Sequence, residues 1–326
     1  MNRRAFLAAP LLAAGCSRTT PHVVLYCAQG REFAEELLAE FTRETGIRVV
    51  AQFDTPIAEV EQQAGRPRCD VHWNNDPLAS TRLARAGAYA PLPITLGDAF
   101  PADTRAPYRL WQGFAARARV LIVNTELVRF FKEPRSVADL AHPRWKGRAA
   151  IAKPFTGTTA THAACLAAVL GIDRAEDFFF SLQENRVNVV AGNQQVARDV
   201  ADGRFAFGLT DSDDAIIEVR AGKPVEVVFP ADDIGTLFLP NTLALMKHAP
   251  NPSAAQKLVE FLLRPETEKR LAERGGFQIP LNPAVKVELP AAIQRPSQVR
   301  AMWVNLTDAA ELWDETQAIL RDLFAA

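Results

Sequence analysis

The chain has 326 residues, 48% of them apolar and 23% charged, with 37 basic side chains against 38 acidic ones. This balance is ordinary for a globular protein, and it excludes disordered, collagen-like and strongly basic nucleic-acid-binding classes. The length predicts two domains of ordinary size.

The first predicted element is an export address. Arg3 and Arg4 give a positive start, Ala5 to Ala14 an apolar stretch, and Ala13-Ala14-Gly15 a small-residue cleavage region before Cys16, which is the three-part pattern of a secretory signal. A membrane span needs roughly twenty apolar residues, and this stretch is far shorter. Arg-Arg-Ala-Phe-Leu also resembles the twin-arginine signal, and the residues before Cys16 resemble a bacterial lipoprotein box with Ala13 where Leu is commoner. Residues 1–16 are therefore expected to be an export segment and Cys16 a lipidation site. The mature protein is then expected in the periplasm or at the cell surface, held to the membrane through the lipid alone.

Strand and helix signals alternate from Val23 onward. Val23 to Tyr26 reads as a strand, and Phe33, Leu37, Leu38 and Phe41 recur at helical spacing until Gly46. Ile47 to Phe53 and Asp70 to Trp73 are the next strands, and after the loop Asn74-Asn75-Asp76-Pro77 a helix runs from Leu78 to Ala86. A long apolar run, Val120 to Val123, follows. The order strand, turn, helix then repeats: Arg148 to Ala152, Lys153 to Thr159, Ala160 to Leu170; then Val187 to Val190, Ala191 to Asn193, Gln194 to Asp202. Phe205 to Thr210 is a final strand of this series, and Asp211-Ser212-Asp213-Asp214 opens another helix. Such alternation predicts an α/β fold with a mostly parallel sheet.

Cysteine and histidine are sparse. Cys27, Cys69 and Cys165 remain besides Cys16; a Cys27–Cys69 disulfide and three free, packed thiols both fit the spacing. No Cys-x-x-Cys or His-x-x-x-His pair occurs in the sequence, which argues against a structural zinc site.

Six pieces, taken in order, carry a family resemblance. They are Val24 to Gln29, Asp70 to Pro77, Trp111 to Val120, Gly208 to Asp211, Pro240-Asn241-Thr242 and Gly276 to Pro283. Their succession resembles the periplasmic substrate-binding proteins of ABC importers, in the branch of the ferric-ion-binding proteins. The resemblance implies a two-lobed α/β fold of type II that closes on a ligand in the cleft between lobes. It places lobe 1 at 21–113 plus 240–276 and lobe 2 at 114–239 plus 277–326, with crossings near Ala115 to Val120 and Leu239 to Leu245. It also implies a monomer that works with permease and ATPase subunits, without an enzyme activity and without a nucleic-acid partner.

The iron ligands of that branch are a histidine, a glutamate and two adjacent tyrosines. The resemblance places these positions on Gly30, Asn75, Asp213 and Asp214, so the usual phenolates and imidazole are absent. The anion half of the family's site falls on Thr156, Gly157, Thr158 and Asn193, with Thr159 adjoining. Hydroxyls and free backbone N–H groups at a helix start do attract anions, although Thr158 or Thr159 capping its own helix is the plainer reading. Asp211, Asp213 and Asp214 would repel an anion unless the ligand also brings a positive or hydrogen-donating part. The expected ligand is thus a phosphonate, a sugar phosphate or a metal ion with a synergistic anion, and no cofactor is required beyond a metal ion carried as part of that ligand.

From the opposite lobe, Gln29, Asn75 and Asp76 are expected to face the cleft. Arg117 and Arg119 point the same way from one strand, toward either the ligand anion or a structural salt bridge. Two alternatives stay open: ferric iron held by Asp213 and Asp214 in place of tyrosines, and an enzyme of the same fold with Cys27 as nucleophile, which needs a base in hydrogen-bond reach.

Overall fold

The computed structural model describes residues 20–93, 98–273 and 276–325, so the expected export segment and Cys16 lie outside the described residues. In chain order the elements are β1 (His22–Cys27), α1 (Arg31–Thr45), β2 (Arg48–Phe53), α2 (Ile57–Gln62), β3 (Val71–Asn74), α3 (Pro77–Arg85) and β4 (Tyr89–Ala90). There follow β5 (Gln112–Asn124), α4 (Thr125–Val128), β6 (Ala149–Ala152), α5 (Gly157–Leu170), α6 (Ile172–Glu184), β7 (Asn188–Val190), α7 (Asn193–Ala201), β8 (Phe207–Asp211), α8 (Ser212–Arg220) and β9 (Val225–Val228). The last are β10 (Phe238–Met246), α9 (Pro252–Leu262), α10 (Pro265–Glu273), α11 (Leu306–Glu311) and α12 (Trp313–Phe324).

The strands hydrogen-bond in the order β2-β1-β3-β10-β5-β8-β6-β7, with β4 on β10 and β9 on β5. Two parallel groups, β2-β1-β3 and β8-β6-β7, flank an antiparallel pair, β10 and β5. β5 is one continuous strand of 13 buried residues. Its first part, from Gln112 to Ala118, pairs with β10, and Arg119 to Val123 pair with β8. The short run expected at Val120 to Val123 is thus the end of a longer strand, whose start is hidden in the sequence by Gly113, Arg117 and Arg119.

Each half of the sheet has its own core. Leu37 and Phe41 of α1 pack with Leu258 and Phe261 of α9 on the first half. Leu121, Trp145, Phe207, Leu166 and Phe179 form the second core, which also takes in Leu78 of α3. Helix α5 is buried on nearly all sides, which explains its Ala-rich sequence without a polar stripe.

Where β5 and β10 run side by side, both are irregular. Ala115 has a left-handed φ of 42°, costly for a residue with a Cβ, and the β10 register shifts between Pro240 and Asn241. Side chains hold this geometry. Glu268 accepts from the N–H groups of Ala115 at 2.6 Å, Leu281 at 2.9 Å and Asn282 at 2.9 Å. The Asn241 amide donates to the carbonyl of Ala115 and to Gln278, and Ala116 exchanges two backbone bonds with Ile279. Three passes of the chain are therefore fastened at one level.

Candidate functional site

Strands β6, β7 and β8 are parallel, so the helices that follow them begin at one end of the sheet. Into this end β5 sends Arg119, which is wholly buried. Its Nη1 donates to Asp211 Oδ1 at 2.7 Å, Asn193 Oδ1 at 3.1 Å and Thr158 Oγ1 at 3.2 Å, and its Nη2 donates to Thr159 Oγ1 at 3.2 Å. Thr158 in turn donates to Asp211 Oδ2 at 2.7 Å, and the Asn193 amide to the same oxygen at 3.1 Å. Four of the residues singled out in the sequence thus form one network, around an arginine for which the sequence leaves both a ligand and a salt bridge open. The alternation of Arg117 and Arg119 within an apolar strand was the available signal.

The capping reading of the threonines does not hold. α5 begins at Gly157 instead of Ala160, with exposed Thr156 as its flanking residue, and neither Thr158 nor Thr159 caps it. Asp211 flanks α8 without bonding to its N–H groups, and α7, which begins at Asn193, has no side-chain cap either. Three helix starts therefore converge with uncapped first turns, and each carries partial positive charge. Gly157 is required by its φ of 64°, whereas an added Cβ would meet nothing within 4 Å. Conformation, not crowding, calls for glycine there.

A second layer of charge lies beside the first. Arg117 Nε is 3.4 Å from Asp213 Oδ2, while Asp213 Oδ1 is buried without a hydrogen-bond partner. Oxygens of Asp211, Asp213 and Asp214 lie within 4.8 Å of one another. Burial raises the Asp213 carboxyl and Arg117 holds it down in part. Burial, then the carboxylates of Asp213 and Asp211, push Asp214 up to about 8. Asp213 and Asp214 are consequently short of positive charge, and they present acceptors next to the donors of the helix starts.

Of the residues expected from the opposite side, Asp76 hydrogen-bonds directly to a helix of the second half of the sheet. Its Oδ1 caps α3 through the N–H groups of Leu78 and Ala79, at 3.0 and 3.2 Å, and accepts from Thr161 of α5 at 2.9 Å. Burial raises the Asp76 carboxyl, and the bond from Thr161 is the largest opposing influence. Gln29 is buried and accepts from Gln278 at 2.9 Å, and Asn75 donates to the carbonyl of Ala28 at 3.1 Å. These two amides tie the loop after β1 to Gln278 and to the loop after β3.

The nucleophile alternative fails on chemistry. Cys27, Cys69 and Cys165 are free and buried, and burial above all pushes the Cys27 thiol up to about 12. Among the described residues the Cys27 thiol donates only to the carbonyl of Gln29, so the thiolate that nucleophilic catalysis needs is disfavoured.

Known proteins resemble the chain over nearly its whole length. The major ferric iron-binding protein of Neisseria meningitidis serogroup A is 27% identical over 317 residues, covering 90% of this chain and 93% of that protein. The apo ferric ion-binding protein A of Pasteurella haemolytica superposes with a TM-score of 0.83 at 21% identity, over 93% of this chain and 97% of that one. A periplasmic binding protein of Actinobacillus pleuropneumoniae with exogenous fructose-6-phosphate bound gives 0.80 at 21% identity, over 94% and 99%. These relatives are binding proteins and not enzymes. The profile of the bacterial extracellular solute-binding proteins matches residues 75–304, and the chain, a two-lobed α/β protein with uncapped helix starts gathered around a buried arginine, belongs to that family.

Proposed function

We propose that the protein is the capture component of an ABC importer and delivers a small polar solute with an anionic head to a permease and its ATPase. In this reading the solute lies between a first lobe of residues 21–113 plus 240–276 and a second of 114–239 plus 277–326. The protein acts as a monomer tethered through a lipid on Cys16. One observation carries the ligand assignment: Asp213 and Asp214, short of compensating charge, stand beside three uncapped helix starts. An anionic head on Thr156 to Thr159 and Asn193 satisfies the free N–H groups. An amine, hydroxyls or a metal ion on the same ligand satisfies the two carboxyls. Phosphonates and sugar phosphates combine these characters.

A metal ion with a synergistic anion is favoured as a second reading by one feature, the three carboxylates within 4.8 Å of one another. Hard cations take such oxygen sets. Ferric iron would then be held by Asp213 and Asp214 where the resemblance puts tyrosines.

A thermal-shift series with phosphate, aminoalkylphosphonates, sugar phosphates, divalent metals and ferric citrate separates the two, because a ligand of the native state alone raises the melting temperature. The organic reading expects a shift with phosphonates or sugar phosphates that Asp213→Asn and Thr158→Ala each reduce. A shift with ferric citrate alone overturns it in favour of the metal.

A further inference from the structure

The pole of the second sheet half that lies opposite the site has its own chemistry. Here the amino ends of β6, β7 and β8 meet the chain after α4, and the site sits at their carboxyl ends. Phe130 and Phe131 are 80% and 43% exposed, in the segment Arg129-Phe130-Phe131-Lys132. The pair stands on an aromatic base: Phe131 lies 5.2 Å from the ring of buried Trp145. Arg129 lies over Phe130 at 4.5 Å, and Arg148 over Phe131 at 5.0 Å.

Cations ring these aromatics. Lys146 sits next to Gly147, whose N–H bonds to the carbonyl of Asn185, and this brings exposed Arg186 alongside. Arg144, on the other side of Trp145, is also exposed. Arg129, Lys132, Arg144, Lys146, Arg148 and Arg186 form no ion pair with any described residue. The neighbouring acid Glu133 is 3.3 Å from Arg135 and shares a hydrogen bond with Glu226, so these two acids face each other and Arg135. Exposed rings amid unpaired cations match a surface that is apolar just beneath a layer of negative charge.

We infer that this pole is a docking surface for an anionic phospholipid membrane, with Phe130 and Phe131 entering the interface while Arg129, Lys132 and their neighbours meet the headgroup phosphates. Aromatic rings settle at the boundary between water and acyl chains, and each basic side chain near an anionic leaflet adds to the attraction. The contact is reversible and is separate from any lipid on Cys16. It leaves the solute site, at the other end of the strands, free.

The test is local. Phe130→Trp is made in the full chain, and its emission minus that of the parent chain, which shares the 5 native tryptophans, is followed during titration with vesicles. Mixed phosphatidylglycerol and phosphatidylcholine vesicles are expected to shift this difference to the blue, with quenching by brominated acyl chains, and phosphatidylcholine alone to leave it unchanged. Arg129→Glu combined with Lys132→Glu is expected to weaken the response at least about tenfold, with an unchanged melting temperature showing that the fold is kept. An equal response to both vesicle types, or one that survives charge reversal, overturns the assignment. No response to either vesicle overturns it as well, and gives the patch to a protein partner.

Discussion

Arg119 Nη1 and Asp211 Oδ1 meet at 2.7 Å, both buried, inside a cage of hydroxyl and amide groups that caps no helix. The pair is structural before it is functional. Removing one partner of a buried ion pair leaves the other charge uncompensated, and Asp211→Ala is expected to cost about 3–5 kcal/mol. Asp211→Asn should cost less, since its amide keeps one acceptor for the guanidinium. The urea midpoint, at an unchanged slope, measures both; variants that unfold with the parent chain would falsify the structural role.

Asp214 makes the ligand-free protein sensitive to pH. In the folded chain it keeps its proton up to about 8, against an ordinary value of 3.8. The folded state binds more protons between these values, so stability is greatest at the acid end and declines as pH rises through that window. Thermal melts across the window should show this decline, and Asp214→Asn should flatten it. A cationic group bound there displaces the proton. Calorimetry at neutral pH, in two buffers of different ionisation enthalpy, should then report proton release that Asp214→Asn reduces.

Thr161 and Asp76 join helices on the two halves of the sheet by a 2.9 Å bond. A double-mutant cycle of Thr161→Val and Asp76→Ala should return a coupling of about 1 kcal/mol in unfolding free energy. Small-angle scattering of ligand-free Thr161→Val should also give a larger radius of gyration than the parent. A radius that does not change would mean that Leu78, packed in the second core, is enough to hold the halves together.

Glu268 is the acceptor for three backbone N–H groups at the level where the chain crosses the sheet. Glu268→Gln turns a donor toward donors and is expected to destabilise by about 1–3 kcal/mol. Because those bonds hold Ala115 in its left-handed conformation, hydrogen exchange at Ala115 and Ala116 should accelerate more than at β1. Uniform acceleration would assign Glu268 to global stability alone.

The buried thiols should be inert. With native protein, a disulfide exchange reagent is expected to leave Cys27, Cys69 and Cys165 unmodified over the time in which unfolded protein reacts fully. Cys27→Ala should leave solute binding intact, and loss of any catalytic turnover in that variant would reopen the enzyme reading.

Much of the fold is legible in the sequence because periodicity and turn chemistry act locally. Phe33 to Phe41 and Gly46 define α1 within one window, and the strand, turn and helix series ending at Asp214 shows which helix starts share one end of the sheet. Less local is what the side chains do there. Thr158 and Asp211 have the composition of helix caps, and only the arrival of Arg119 from a distant strand draws them elsewhere. The same holds for β5, where Arg117 and Arg119 break an apolar run because their partners lie outside it. Gln29 and Asn75 show only amide chemistry in the sequence, and their bonds to Gln278 and to the carbonyl of Ala28 depend on distant segments of the chain.

Arg117 and Arg119 belong to the strand shared by both halves of the sheet, whereas Asp213 and Asp214 occupy the first turn of α8. The charges are therefore tied to the scaffold to different degrees. Exchanging an arginine disturbs the scaffold itself, and exchanging residue 213 takes from buried Arg117 its 3.4 Å partner, whereas Asp214 forms no ion pair with a described residue. Residue 214 is thus the place in this cluster where a charge can be removed with the ion pairs of the shared strand left whole.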